Sequence, residues 1–140
     1  MSIILLKTLH FLSLLFAGGV TVGSVVVQRA YVAADEIPPP HVRKAFVLLS
    51  YMGLGAIVTL WVTGIGLAHL IYGGLAINGA FHVKLLGAAV VLGISLWGNL
   101  HAYSAAKAGI PPNAILMKRL VSAARGGLLI AIVGAAVAFA

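Results

Sequence analysis

Hydrophobic residues fill four long stretches of the chain, and short polar, proline-rich or glycine-rich segments separate them. Each stretch exceeds the roughly 20 residues that an α-helix needs to cross the hydrocarbon core of a bilayer. The pattern predicts helices over residues of about 3–34, 43–72, 79–107 and 113–139. The first stretch is too long for the apolar core of a signal peptide, so we interpret it as a transmembrane helix too.

Turn-forming residues mark the ends of the predicted helices. Three prolines at 38–40 follow the first helix, a glycine pair at 73–74 follows the second, and Gly109 with the proline pair 111–112 follows the third. Proline removes a backbone donor, and glycine ends helices readily. Because such short connections join antiparallel neighbours, the sequence predicts an all-α, up-down-up-down four-helix bundle, a single transmembrane domain over residues 1–140.

The composition excludes several classes of protein. Of the 140 residues, 62% are hydrophobic and 8% are charged, and the mean hydropathy is +1.15. Little chain is left for an extramembrane domain, which excludes soluble enzymes, nucleic-acid-binding proteins and receptors with large ectodomains. The chain has no cysteine, so thiolate metal sites, iron–sulfur clusters and disulfides are excluded as well. The five histidines are the remaining strong ligands for a transition metal or a haem iron.

The net charge of +7 predicts the orientation in the membrane. Basic residues cluster beside the first and third loops, whereas the opposite side has only Lys7 and Lys84. By the positive-inside rule, the first and third loops are cytoplasmic and both termini lie on the outer, periplasmic face of a bacterial inner membrane. The residues that carry this signal are Arg29, Arg43, Lys44, Lys107, Lys118 and Arg119.

Polar and small residues follow one stripe of each of the first two helices, at spacings of three and four. We expect these stripes to face the interior of the bundle, because lipid-facing positions are apolar. Gly19 and Gly23 add a small-xxx-small contact beside the first stripe. The first stripe comprises Lys7, His10, Leu14, Ala17, Thr21, Ser24 and Gln28, and the second comprises Gly55, Thr59, Val62, Gly66 and His69.

Three histidines and two lysines are predicted to converge in the outer leaflet. An ionisable group at membrane depth costs about 2.5–3.5 kcal/mol and therefore requires a partner, a water path or a function. The convergence predicts a cofactor site. The alternative for His69 is an interfacial position, and the alternative for Lys7 and Lys84 is a long stem that reaches the head groups. The predicted site comprises His10, His69, His82, Lys7 and Lys84.

The inner leaflet has two further candidates. His101 lies near the inner end of the third helix, and Arg125 lies well within the fourth. We predict that they contact a lipid or another anion. No acidic residue occurs within a predicted span, which favours an anionic ligand and argues against a carboxylate-based proton pump. No helix carries two histidines at the spacing of a dihaem cytochrome, whereas one b-type haem held by different helices is compatible with the pattern.

Four segments resemble the superfamily around the HemJ-type protoporphyrinogen oxidases, which also includes the CopD copper-resistance domain. They are Leu-Leu-Lys-Thr-Leu-His at 5–10, Phe-Ala-Gly-Gly at 16–19, Phe-His-Val-Lys-Leu-Leu at 81–86 and Gly-Asn-Leu-His-Ala-Tyr at 98–103. The resemblance covers most of the chain and implies the same four-helix fold. It also implies that His10, His82 and Lys84 serve haem b binding and activity, with His10 and His82 as the iron ligands.

Two functional hypotheses follow. The first is a haem-dependent membrane oxidoreductase that oxidises a porphyrinogen or exchanges electrons with quinone; the sequence assigns it no catalytic residue. The second is a non-catalytic accessory subunit of a larger respiratory or photosynthetic membrane complex. Copper or small-solute handling has the least support, because no methionine accompanies a histidine at ligand spacing. No hypothesis includes nucleic acid as a partner.

Overall fold

The computed structural model describes residues 2–110 and 113–138, and the regular structure in these two ranges is entirely α-helical. Every helix is long enough and apolar enough to cross a membrane. The shortest has 25 residues, about 37 Å at 1.5 Å per residue, against a hydrocarbon core of about 30 Å. The predicted all-α class is confirmed, and the chain is a multi-pass membrane protein. The helices are α1 (Ile3–Ala33), α2 (Pro40–Tyr72), α3 (Gly79–Lys107) and α4 (Ala114–Ala138).

The start of α2 differs from the sequence prediction. The helix begins at Pro40, with Pro39 as its N-cap, rather than near residue 43. Proline is favourable in a first helical turn, because its missing N–H would have no intrahelical acceptor there. The third proline of the run therefore starts α2, whereas the first two belong to the loop.

Residues with positive φ follow three of the helices. Asp35 (φ 53°) follows α1, Gly73 (φ 73°) follows α2, and Gly109 (φ 70°) follows α3. At the end of α2, the Gly73 N–H donates to the His69 carbonyl at 3.1 Å, so the left-handed residue satisfies an otherwise unpaired helical carbonyl. The predicted proline stop at 111–112 and the predicted end of the fourth helix at 139 lie outside the described residues.

The chain divides into two compact units, Met1–Leu75 and Ala76–Ala140. The first unit is the antiparallel pair α1 and α2. Its helices meet where a small residue of α2 faces a larger residue of α1: a Cβ on Gly66 would lie 3.6 Å from both terminal carbons of Leu6, and a Cβ on Gly53 would lie 3.6 Å from Val20. These pairs run in opposite directions along the two helices, as an antiparallel hairpin requires.

The face of α1 that packs against α2 is rotated from the predicted stripe. The buried residue of α1 is Leu6, which is 6% exposed, whereas its neighbour Lys7 is exposed. One residue corresponds to a rotation of about 100°, and because part of the predicted stripe remains half-buried, the face is rotated by less than that. Packing between membrane helices depends on close van der Waals contact. The contact of Leu6 with Gly66, and not the polarity of the side chains, therefore determines which face of α1 packs against α2. Of the predicted stripe, His10, Ala17 and Ser24 are half-buried, and Lys7, Leu14, Thr21 and Gln28 are exposed.

The second unit is the antiparallel pair α3 and α4, whose backbones approach very closely. A Cβ on Gly87 would lie 2.6 Å from the Ala131 nitrogen and 2.6 Å from the Gly127 carbonyl oxygen. No side chain fits in this space, so glycine is required at position 87. This close crossing is the small-residue packing that is typical of membrane helix pairs.

We predict that Gly87→Ala destabilises the protein by about 1–3 kcal/mol, because the added methyl pushes the backbones of α3 and α4 apart. Gly93→Ala is the matched control in the same helix, since a Cβ there meets nothing within 4 Å. The control should be neutral or stabilising by about 0.5–1 kcal/mol. Unfolding followed by circular dichroism in one detergent measures both variants. Equal stability of the two would contradict this account of the crossing.

Candidate functional site

His10 lies half-buried where α1 and α2 meet. Its Nδ1 is 2.9 Å from the Thr63 hydroxyl oxygen, and Thr63 is 3% exposed. A Cβ on Gly64 would lie 3.4 Å from the His10 Cε1, the ring carbon between the two nitrogens. The absence of a side chain at position 64 therefore lets the imidazole lie against α2, within reach of Thr63.

Thr63 was not among the residues that the sequence pattern singled out. Its hydroxyl lies 2.7 Å from the Thr59 carbonyl oxygen and 3.3 Å from the Leu60 carbonyl oxygen. In the structure α1 ends at Ala33 and α2 begins at Pro40, so the hairpin folds around residues 36–37 and residue 10 lies opposite residue 63. The predicted bounds, 34 and 43, centre the hairpin about two residues later and place residue 67 opposite residue 10, so they did not indicate Thr63.

Two other predicted site residues of the first unit, Lys7 and His69, are exposed. Lys7 belongs to the first turns of α1. His69 lies in the last turn of α2, six residues beyond Thr63, or about 9 Å along the helix axis at 1.5 Å per residue. Their predicted contact with a cofactor stays a prediction.

In the second unit, His82 and Lys84 lie in the first turns of α3. His82 is exposed, and its Nδ1 is 2.8 Å from the Asn78 carbonyl oxygen. A carbonyl oxygen only accepts, so the Nδ1–H donates, and in the neutral ring the lone pair lies on Nε2. Lys84 is half-buried, with its Nζ 5.5 Å from the centroid of the Phe81 ring, a cation–π contact.

Asn78 fixes the start of α3 and ties it to α4. Its Oδ1 accepts the Phe81 N–H at 2.8 Å, as an N-cap residue does. Its Nδ2 donates to the Ala138 carbonyl oxygen at 3.1 Å. The sequence signal for this role is an asparagine directly before the predicted helix start, and asparagine is not an ionisable residue.

His101, at the other end of the second unit, has a hydrogen-bond partner of its own. Its Nε2 accepts the Asn113 N–H at 3.3 Å, and the Asn113 Oδ1 accepts the Leu116 N–H at 3.0 Å in the first turn of α4. His101 thus joins the end of α3 to the start of α4. Arg125 is exposed on α4. Contact of either residue with a lipid or another anion stays a prediction.

A groove of about 770 Å³ runs between α1 and α2 of the first unit, and we call it the α1–α2 groove. Its lining is mostly apolar and includes Gly19, Gly23 and Thr59. A Cβ on Gly19 or Gly23 would meet nothing within 4 Å. The predicted small-xxx-small pair therefore faces the groove and makes no close contact with another described residue.

Comparison of the chain with protein-family models, with curated proteins and with solved structures finds no match. The relation to the HemJ-type proteins therefore stays a prediction from the sequence. Among residues 2–110 and 113–138, no three His, Asp or Glu side chains come together as a metal-ion site. His10 belongs to the first unit and His82 to the second.

We predict that Asn78→Ala destabilises the protein by about 1–2 kcal/mol, because it removes the N-cap acceptor of α3 and the donor to α4. Asn78→Asp keeps an oxygen for the Phe81 N–H but removes the Nδ2 donor to Ala138. It should therefore recover part of the loss. Thermal unfolding of the three proteins in one detergent is the measurement, and an alanine variant as stable as the wild type would contradict both hydrogen bonds.

Proposed function

We propose that this chain is a small membrane protein that binds a b-type haem and that His10 and His82 are each a candidate iron ligand. We further propose that it transfers electrons, in porphyrinogen oxidation or in exchange with quinone, as a haem-dependent oxidoreductase. One observation carries the proposal: the Nδ1 of His10 and the Nδ1 of His82 each lie within hydrogen-bond distance of an oxygen atom, at 2.9 and 2.8 Å.

This arrangement suits an imidazole that binds a metal through its other nitrogen. A metal-ligating histidine commonly donates its second ring N–H to an oxygen atom, which orients the ring and makes the ligating nitrogen more basic. For His10 the oxygen comes from Thr63 on the facing helix, and for His82 it comes from the preceding turn. The chain has no cysteine, which excludes a thiolate ligand, and histidine would supply the nitrogen ligand that is common in haem proteins.

The distribution of charge also favours an anionic ligand. The two acidic residues, Asp35 and Glu36, both lie in the loop between α1 and α2, so no span holds a carboxylate to neutralise its cations. The propionates of a haem would pair with Lys84 or Lys7, and His69 would be an alternative iron ligand. The haem would supply one-electron chemistry, and the protein would bind it, orient it and exclude water.

The proposal is tested by an oxidised-minus-reduced absorption spectrum and a pyridine haemochrome assay of protein purified from cells with ample haem. We expect a stoichiometric b-type haem in the wild type and its loss in His10→Ala, because the iron loses a ligand. His41→Ala is the matched control, since His41 is exposed in the first turn of α2. It should bind haem as the wild type does.

Absence of haem from the wild type would refute the proposal, and so would equal haem content in His10→Ala and the wild type. The two histidine variants carry the same chemical change at different depths of the membrane. A loss that occurs in both would indicate general damage rather than removal of an iron ligand.

The second candidate is an accessory subunit of a larger respiratory or photosynthetic membrane complex. It is favoured by the open space over Gly19 and Gly23 in the α1–α2 groove. Small residues on an open face admit the close approach of another membrane helix. This candidate predicts that haem-free protein co-purifies with the complex under mild detergent and that Gly19→Leu abolishes this association.

We propose further that both termini face the periplasm of a bacterial inner membrane. Because the chain has no native cysteine, single-cysteine variants report orientation without background. In spheroplasts, a membrane-impermeant maleimide should label Ala76→Cys, in the exposed second loop. It should label Ile37→Cys, which replaces a residue that is 84% exposed in the first loop, only after lysis. The reverse pattern would invert the proposed topology.

A further inference from the structure

We propose that Thr63 is a positioning residue that holds the proton of His10 on Nδ1 and so makes Nε2 the nitrogen that binds iron. The role toward iron rests on the proposed function, whereas the position of the proton rests on geometry alone. Thr63 lies on α2 and His10 on α1, so the helix pair itself brings the two groups together.

The hydroxyl hydrogen of Thr63 is directed to its own helix. The Thr63 oxygen lies 2.7 Å from the carbonyl oxygen of Thr59. A carbonyl oxygen only accepts hydrogen bonds, and two oxygens this close repel each other unless a hydrogen lies between them. The single hydroxyl hydrogen therefore points to the Thr59 carbonyl, a bond that threonine commonly makes within membrane helices.

The direction of that bond fixes the direction of the next one. With its hydrogen committed, the Thr63 oxygen presents only lone pairs to the His10 Nδ1, 2.9 Å away. The contact is attractive only when Nδ1 carries a hydrogen and donates it. In a neutral imidazole one nitrogen carries the hydrogen and the other the lone pair, so the lone pair lies on Nε2.

The acceptor side of this hydrogen bond is shielded from water, because Thr63 is 3% exposed, whereas the His10 ring is half-buried. Removal of the acceptor oxygen favours the tautomer with no hydrogen on Nδ1, because an N–H that loses its acceptor in such surroundings is costly. Gly64 adds a steric limit, because the ring carbon Cε1 of His10 already lies 3.4 Å from where a Cβ would be.

The proton is located by ¹⁵N NMR of histidine-labelled, haem-free protein in micelles, at an alkaline pH at which the spectrum shows neutral rings. His10→Ala identifies the His10 signals. We expect the ring hydrogen on Nδ1 in the wild type and in Thr63→Ser, which keeps the hydroxyl. In Thr63→Val, which has a similar shape and no hydroxyl, we expect a shift toward the form protonated on Nε2.

The same three proteins are then titrated with haem. Loss of an outer-shell partner commonly lowers metal affinity by about 10–100-fold, so Thr63→Val should weaken haem binding by that factor and Thr63→Ser should restore it. Circular dichroism and thermal unfolding check that each variant is folded. Rescue by serine distinguishes positioning from a merely structural role, because serine restores the hydroxyl but not the methyl group, whereas valine keeps the shape of threonine without the hydroxyl.

Each outcome decides one part of the proposal. A wild-type ring protonated on Nε2, or a tautomer unchanged in Thr63→Val, overturns the assignment, and the wild-type spectrum alone is enough for that. A changed tautomer with unchanged haem affinity overturns the positioning role toward iron. A wild type that is protonated on Nδ1 but binds no haem refutes the proposed function and the ligating role of Nε2, while the effect of Thr63 on the tautomer stands.

Discussion

The hydrocarbon interior of a bilayer offers no hydrogen-bond partner to a backbone N–H or C=O, so a segment that crosses it must satisfy its polar groups within itself. The four helices of this chain meet that requirement over their whole length, and the interruptions fall between them. The loops carry the exceptions to regular backbone geometry: Asp35, Gly73 and Gly109 have positive φ just beyond a helix end. The placement of the histidines then depends on how these helices, whose backbone groups are hydrogen-bonded internally, pair with one another.

Pairing follows a second constraint, which is that lipid is as apolar as the side chains it surrounds. Burying leucine therefore gains little, and close approach of the backbones becomes the main selector of faces. In the second unit Gly87 leaves no space for any side chain. In the first unit, Gly66 receives Leu6, and Gly64 makes room for His10. A polar contact between α1 and α2, from His10 to Thr63, is built on this packing rather than the reverse.

That polar contact connects the fold to the proposed chemistry. A histidine within a span is expensive to bury, and a partner on the facing helix lowers the cost while it also orients the ring. The Nδ1 of His82 also makes a hydrogen bond, but within its own helix segment, because its acceptor is the Asn78 carbonyl four residues earlier. In His101 the Nε2 lone pair is already engaged, because it accepts the Asn113 N–H. The two proposed iron ligands differ from this histidine in that their hydrogen bonds are made by Nδ1.

The sequence by itself determined the membrane class, the four helices and His10 as a residue that faces another helix. The length of each hydrophobic stretch can be read directly from the sequence, and so can a histidine within it, whose imidazole costs free energy in contact with lipid. The sequence did not determine the rotation of α1, where Lys7 was expected inside and Leu6 is buried instead, nor did it single out Thr63 as the partner of His10. Those features were decided by the tertiary structure. Helix rotation and cross-helix hydrogen bonds depend on which small residue of the facing helix lies opposite, and that juxtaposition exists only once the antiparallel pair has formed.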